Sequence, residues 1–121
     1  MQHIGEIIKE SSIEKNIILR GADALSQKGF TQVPNHVLES GTISPGAKLA
    51  YAMLLKYAWQ NNFCFPGQDR LAKDMGVSLR STNAYIQELE KNSFVHVKRR
   101  GQGKPNLYEL LLTIPSKRVD K

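Results

Sequence analysis

Residues 68–91 read QDRLAKDMGVSLRSTNAYIQELEK, which is two amphipathic segments separated by a glycine. Gly76 permits the left-handed backbone of a tight turn, and Ser78 is a suitable N-cap for the segment that follows. The apolar positions recur at helical spacing, and they are Leu71, Ala72 and Met75 in the first segment and Thr82, Ile86 and Leu89 in the second. The sequence therefore predicts a helix over 68–75, a tight turn, and a helix over 79–92.

Two further elements frame this helix pair. Ser44 followed by Pro45 is a strong helix start, and it predicts a scaffold helix to residue 60. Its predicted inward face is Leu49, Met53, Leu54, Tyr57 and Ala58. After the pair, residues 94–100 and 106–114 alternate between apolar and polar side chains around a glycine-rich turn, which predicts a β-hairpin.

The sequence before the scaffold helix is harder to interpret. Asn35 is placed to cap a short helix through residue 39, because the preceding proline favours an extended backbone. In residues 1–29, Ser11 and Glu14 resemble a capping box, yet the run 17–19 equally suits a strand. An ordered arm and a frayed tail both remain open for this segment.

These elements predict a single α+β domain, a winged helix-turn-helix that is mainly helical with a C-terminal β-hairpin wing. A chain of 121 residues is long enough to bury a core of its own. We predict an N-terminal arm over 1–29, the winged helix-turn-helix domain over 30–114, and a polar C-terminal tail over 115–121.

Residues 30–112 also resemble a known family, the helix-turn-helix domain of phage, plasmid and mobile-element proteins, which includes replication-initiator-like and regulator proteins. The resemblance is carried by the motifs Ser44-Pro45-Gly46-Ala47-Lys48-Leu49, Phe65-Pro66, Leu71-Ala72, Gly76-Val77-Ser78, Arg80, Leu89-Glu90, Arg99-Arg100 and Asn106-Leu107-Tyr108. It implies a DNA-binding function. The sequence departs from the family pattern at Gly67, Ala84 and Ser93, where serine, a basic residue and glycine are expected.

Charge favours a polyanionic partner. The net charge is +6, and residues 61–121 hold eleven basic and six acidic side chains, against six and five in residues 1–60. A nucleic-acid surface is therefore expected in the second half of the chain.

The outward side of the second helix supplies the first group of candidate contacts. A helical count places Arg80, Asn83, Ala84, Gln87 and Lys91 there. Arginine pairs with guanine and asparagine with adenine, so Arg80 and Asn83 are the leading base readers, with Gln87 beyond them. Ser78 and Ser81 at the helix start suit phosphate or base contacts. The alternative is an ordinary solvated helix face.

The hairpin supplies the second group. Lys98, Arg99, Arg100 and Lys104 are four positive charges with no acid between residues 98 and 108. We predict that they contact phosphates or a minor groove, and the alternative is a charged turn that protects an exposed strand edge. Arg70 and Lys73 are weaker candidates because Asp69 and Asp74 are beside them.

Other chemistries lack a motif. Cys64 is the single cysteine, which excludes an internal disulfide and fits a reducing cytoplasm, and we expect it to be a core residue. The three histidines are far apart and predict no metal site. Neither a phosphate-binding loop nor an acid-base pair is present, so we expect no enzyme and no cofactor. We also expect no signal peptide and no membrane span.

The sequence thus predicts site-specific binding to double-stranded DNA, in transcription regulation or in the replication initiation or control of a mobile element. Expected partners are duplex DNA, a second copy of the chain, and replication or transcription proteins. The alternative is a winged helix that docks proteins and does not bind DNA.

Overall fold

The computed structural model describes residues 16–20, 28–104 and 106–112. The chain divides into two units, Met1–Phe30 and Thr31–Lys121. In the first unit, residues 16–20 lie in neither a helix nor a strand, and the predicted capping box at Ser11 lies outside the described residues. The predicted tail over 115–121 also lies outside them.

The second unit contains four helices and a hairpin among its described residues. In chain order these are α1 (Asn35–Leu38), α2 (Pro45–Gln60), α3 (Gln68–Met75), α4 (Leu79–Lys91), β1 (Val95–Lys98) and β2 (Leu107–Leu110). The strands are antiparallel, with Val95 opposite Leu110 and Lys98 opposite Leu107. This order and the terminal hairpin confirm the predicted winged helix-turn-helix.

The helix starts follow the local sequence closely. Ser44 caps α2 by accepting a hydrogen bond from the Ala47 N–H at 3.2 Å, and Pro45 occupies the first helical position. The prediction for α1 was wrong by one residue. Its N-cap is Pro34, which has extended backbone and no side chain to cap with, so Asn35 is already helical.

The core is formed by α2, α4 and the wing, together with Val37 of α1 and Leu71 of α3. The buried face of α2 consists of Ala47, Ala50, Tyr51, Leu54, Leu55 and Tyr57. The predicted face was rotated, because Leu49 is 45% exposed and Tyr51 is completely buried. The Tyr51 hydroxyl donates to the Leu111 carbonyl at 2.9 Å, which ties α2 to the chain after β2, and burial raises the pKa of Tyr51 to about 12.

The turn between α3 and α4 forms as predicted. Gly76 is left-handed, with φ 73°, and its N–H donates to the Ala72 carbonyl at 2.9 Å. A β-carbon at Gly76 would meet no atom within 4 Å, so the backbone conformation alone accounts for the glycine. Ser78 then caps α4 by accepting from the Ser81 N–H at 3.0 Å, and Thr82, Ile86 and Leu89 face the core.

The wing is joined to the helices by an aromatic series. Tyr108 on β2 packs edge-on against Phe65, with ring centroids 4.7 Å apart, and Phe65 stacks on Tyr57 of α2 at 6.1 Å. Val95 and Val97 point into the core from β1. The hairpin is shorter than predicted, because pairing ends at Lys98 and Leu107.

The expectation that Cys64 is a core residue was wrong. Cys64 is an exposed free thiol, and Phe63 beside it is 80% exposed. Asn62 and Phe63 both have positive φ, so the chain leaves α2 in a tight left-handed turn that directs these side chains outward. Among the described residues, no helix has the length and apolar character that crossing a bilayer requires.

Candidate nucleic-acid interface

The outer side of α4 is a polar surface turned away from the core. Arg80, Asn83 and Gln87 are all exposed there, and they line a shallow open surface together with Leu79 and Ala84. Because the buried stripe of α4 occupies the opposite side, these side chains project as one row along the helix. We call this row, Arg80, Asn83, Ala84 and Gln87, the reading face.

The two serines at the start of α4 are already engaged with each other. The Ser78 hydroxyl donates to the Ser81 hydroxyl oxygen at 3.1 Å and accepts from the Ser81 N–H. Ser78 caps the helix through Ser81, and Ser81 is only half-exposed. Contact between either serine and DNA stays a prediction.

The basic residues of the wing surround its tip. Lys98, Arg99, Arg100 and Lys104 are exposed, and Gly101 and Gly103 both have positive φ, which bends the tip tightly. One of these cations turns toward α4, since Arg99 Nη1 lies 3.4 Å from Glu90 Oε2 and 3.4 Å from the Val97 carbonyl oxygen. The wing and α4 are therefore linked electrostatically beside the reading face.

A small polar cleft separates α4 from the wing. It measures about 90 Å³ and is lined by Gln68, Asn83, Ile86, Gln87, Glu90, Val97, Arg99, Asn106 and Tyr108. The Gln68 side-chain oxygen is buried here and has no hydrogen-bond partner among the residues that the structure describes. Asn83 and Gln87 thus extend from the reading face into the same cleft.

The weaker candidate Arg70 forms an ion pair. Arg70 Nε lies 3.0 Å from Asp74 Oδ1, and the Tyr57 hydroxyl donates to Asp74 Oδ2 at 2.7 Å. The hydrogen bond from Tyr57 holds the pKa of the Asp74 carboxyl below its ordinary value, and Arg70 lowers that pKa further. Burial and the same hydrogen bond raise the pKa of Tyr57. This group fastens α3 to α2.

The structure shows a different consequence for each departure from the family pattern. Ser93 has φ 67°, a left-handed conformation in which glycine is the unstrained residue. Gly67 is the N-cap of α3 with φ 115°, a conformation that strains other residues, which explains the glycine. Because glycine has no side chain, α3 starts without a side-chain cap. Ala84 lies in the middle of the reading face, where a basic residue is expected and none is present.

Residues 41–95 match the model of the helix-turn-helix domain family, a span that contains α2, α3, α4 and the start of β1. One solved structure of similar fold, "N-Terminal domain of DNA binding protein", has a TM-score of 0.60 and 20% identity, and the match covers 85% of this chain and 89% of that one. Another, "Structure of Rep-DNA complex", has a TM-score of 0.59 and 19% identity, and covers 83% and 88%. No curated protein sequence matches the chain.

These matches confirm the helix-turn-helix family resemblance for residues 41–95 and the winged fold around them. Three residues of the interface were absent from the sequence prediction, and they are Gln68, Glu90 and Asn106. Their positions depend on how α3 and the wing pack on α4, and no local pattern signals that packing. The motifs of the resemblance, Leu89-Glu90 and Asn106-Leu107-Tyr108, contained two of them, but without a role.

Proposed function

We propose that this chain binds double-stranded DNA site-specifically, with α4 in the major groove and the wing against an adjacent groove or backbone. One observation carries the proposal. The exposed amide and guanidinium groups of the reading face lie on a helix whose other side is fixed in the core, and the basic wing tip extends beside them. Positive charge beside a row of hydrogen-bonding groups is what duplex recognition requires.

The comparisons support the same assignment. A relative in fold is described as a DNA-binding protein's N-terminal domain, and another was solved as a Rep–DNA complex. The expected contacts to bases come from Arg80, Asn83 and Gln87, and Ser78 and Ser81 are expected at the backbone. Lys98, Arg99, Arg100 and Lys104 are expected to contact phosphates.

The first test is the salt dependence of binding to duplex DNA. If four to six phosphates are neutralised per protomer, log K falls against log salt with a slope of about −4 to −5. Fluorescence anisotropy on a mixed-sequence duplex, starting at about 50 mM salt, measures this slope. A chain that binds no duplex at that salt contradicts the proposal.

The biological use follows from which DNA is selected. Transcription regulation and replication initiation or control of a mobile element place the same demands on the interface, and both take place in the cytoplasm of a bacterial host. Fragments of the source genome selected by the purified chain distinguish them. Promoter fragments support regulation, and repeats at a replication origin support replication control. We assign no catalysis to the chain, so supercoiled plasmid incubated with it and Mg²⁺ is expected to stay intact.

Protein docking is the second candidate function, and an apolar groove that borders the wing favours it. An apolar groove of about 630 Å³ lies between the end of α2 and β2. Trp59 and Phe63 along it are 50% and 80% exposed, and Leu112 is 54% exposed. A second copy of the chain is one partner that the groove could bind. Size-exclusion chromatography with light scattering tests for this homodimer. Loss of a dimer in Trp59→Glu with DNA affinity retained per protomer separates this groove from the interface.

A further inference from the structure

The start of α2 and the last turn of α4 are joined by hydrogen bonds between Ser44 and Glu88. The Ser44 N–H donates to Glu88 Oε2 at 2.5 Å, and the Ser44 hydroxyl donates to Glu88 Oε1 at 2.7 Å. The same hydroxyl oxygen accepts from the Ala47 N–H and so caps α2. Both carboxylate oxygens of Glu88 are thus held by one residue, 44 positions earlier in the chain.

A second contact lies beside the first. Tyr85 packs over Gly46 so closely that a β-carbon at Gly46 would lie under 3.0 Å from three atoms of the tyrosine ring. Gly46 has ordinary helical backbone and no positive φ, so its glycine is explained by this close approach. The Ser44-Pro45-Gly46 motif therefore serves two purposes. It starts α2, and it receives Tyr85 and Glu88 from α4.

These contacts constrain α4 in a way that its apolar packing does not. Thr82, Ile86 and Leu89 fix the depth of the helix in the core, but apolar contacts are not directional. The paired hydrogen bonds at Glu88 and the close contact at Tyr85 depend on the angle of the helix about its own axis. The reading face is on the same helix, with Ala84 one turn before Glu88, so a rotation of α4 moves every side chain in it.

We propose that Ser44, Gly46, Tyr85 and Glu88 form a lock that sets the rotation of α4, and that Glu88 is a positioning residue for DNA sequence discrimination. This inference rests on the proposed function and deepens it. Glu88 does not contact DNA. It acts through Ser44, by holding Arg80 and Asn83 in the orientation in which they meet base edges.

Charge gives the lock a distinctive test. Removing a carboxylate raises the positive charge of the chain, which by itself strengthens binding to every DNA sequence. Loss of the lock instead weakens the selected site relative to random duplex. Glu88→Gln keeps the side-chain size, but its amide is uncharged and has an NH₂ group in place of one carboxylate oxygen. It therefore cannot accept both hydrogen bonds that Ser44 donates to Glu88. Glu39→Gln is the matched control, because it changes the charge equally at an exposed position after α1.

The experiment is competition binding of wild type, Glu88→Gln and Glu39→Gln against a site selected by the wild type and against random duplex, below the melting temperature of each variant. The measured ratio is the affinity for the selected site divided by the affinity for random duplex. We expect Glu88→Gln to lower this ratio about tenfold, as when a base contact is misplaced. Glu39→Gln is expected to keep the wild-type ratio. A wild-type ratio in Glu88→Gln overturns the lock alone. A wild type without site preference overturns the proposed function, and the lock with it.

A second pair of variants tests the close contact independently of charge. Gly46→Ala is expected to reduce discrimination severalfold, because the added methyl collides with the Tyr85 ring. In a Tyr85→Ala background the ring is absent and the added methyl meets no atom of it. Gly46→Ala should therefore cause no further loss of discrimination in that background. If Gly46→Ala reduces the ratio equally with and without the ring, this contact does not position α4 and the proposal fails there.

Discussion

The α4 helix and the wing carry similar exposed polar and basic side chains, but the protein holds them by different means. Under the reading face, Thr82, Ile86 and Leu89 are 5% exposed or less, and Ser44 and Glu88 add directional hydrogen bonds. At the wing tip, every residue from 98 to 104 is exposed. Lys104 N–H donates to the Gly101 carbonyl there at 3.3 Å.

The difference suits two kinds of contact. Reading a base edge requires a side chain to be placed accurately, because bidentate hydrogen bonds depend on geometry. A phosphate is met by a positive charge over a wider range of positions. A helix fixed on one side suits the first task, and an exposed basic turn suits the second.

The largest expected effect is at the buried side of α4. Leu89→Ala removes a completely buried side chain and should lower the free energy of unfolding by about 2–5 kcal/mol. Denaturant titration measures the change. Leu79→Ala, on the same helix but at a residue 45% exposed, is the control and should cost less than about 1 kcal/mol. Equal losses of unfolding free energy in the two variants would show that the buried side of α4 does not hold the helix in place.

The next effect is on discrimination by the reading face. Arg80→Ala should cost about 1–3 kcal/mol on the selected site and much less on random duplex, because a guanidinium fork onto guanine is lost. Arg80→Lys keeps the charge without the planar fork and should recover only part of the discrimination. Lys91→Ala, in the last turn, controls for the loss of one positive charge. An equal loss on both DNAs would identify Arg80 as a phosphate contact.

The wing should behave differently from α4. Replacing Arg99 and Arg100 together by alanine should weaken all duplexes about tenfold and flatten the salt slope by about two. Salt titrations on the selected and random duplexes measure both quantities. Lys117 and Arg118 form a second adjacent basic pair, and their double alanine variant is the charge-matched control. A changed sequence preference in the wing variant would show that the wing reads bases.

The smallest effect concerns the junction between the two regions. Ser93 links α4 to β1 with φ 67°, so Ser93→Gly should raise the free energy of unfolding by about 1 kcal/mol through relief of backbone strain. Ser81→Gly inside α4 should instead lower the free energy of unfolding, because glycine is a poor helix former. Thermal melting compares the two. A destabilised Ser93→Gly would show that the serine side chain outweighs the strain.

Local sequence predicted most of the fold because the relevant interactions are local. Pro45 after a capping serine, Gly76 between two amphipathic segments, and Ser78 before α4 each act within a few residues. The prediction of the buried stripe of α4 was confirmed for the same reason, because helical periodicity alone defines that stripe. The predicted inward face of α2 was wrong at Leu49, which is exposed. The helix is apolar on more than one side, and the elements packed against it decide which side is buried.

By itself, then, the sequence determined where α2, α3 and α4 start, which side of α4 faces outward, and that positive charge collects around the wing. Only the tertiary structure decided that Arg99 turns toward Glu90 and that Glu88 binds the N-cap residue of the distant helix α2. The physical reason is the range of the interactions. Caps and turns join residues three or four apart, whereas these contacts join elements whose separation in sequence is bridged only when the core has packed.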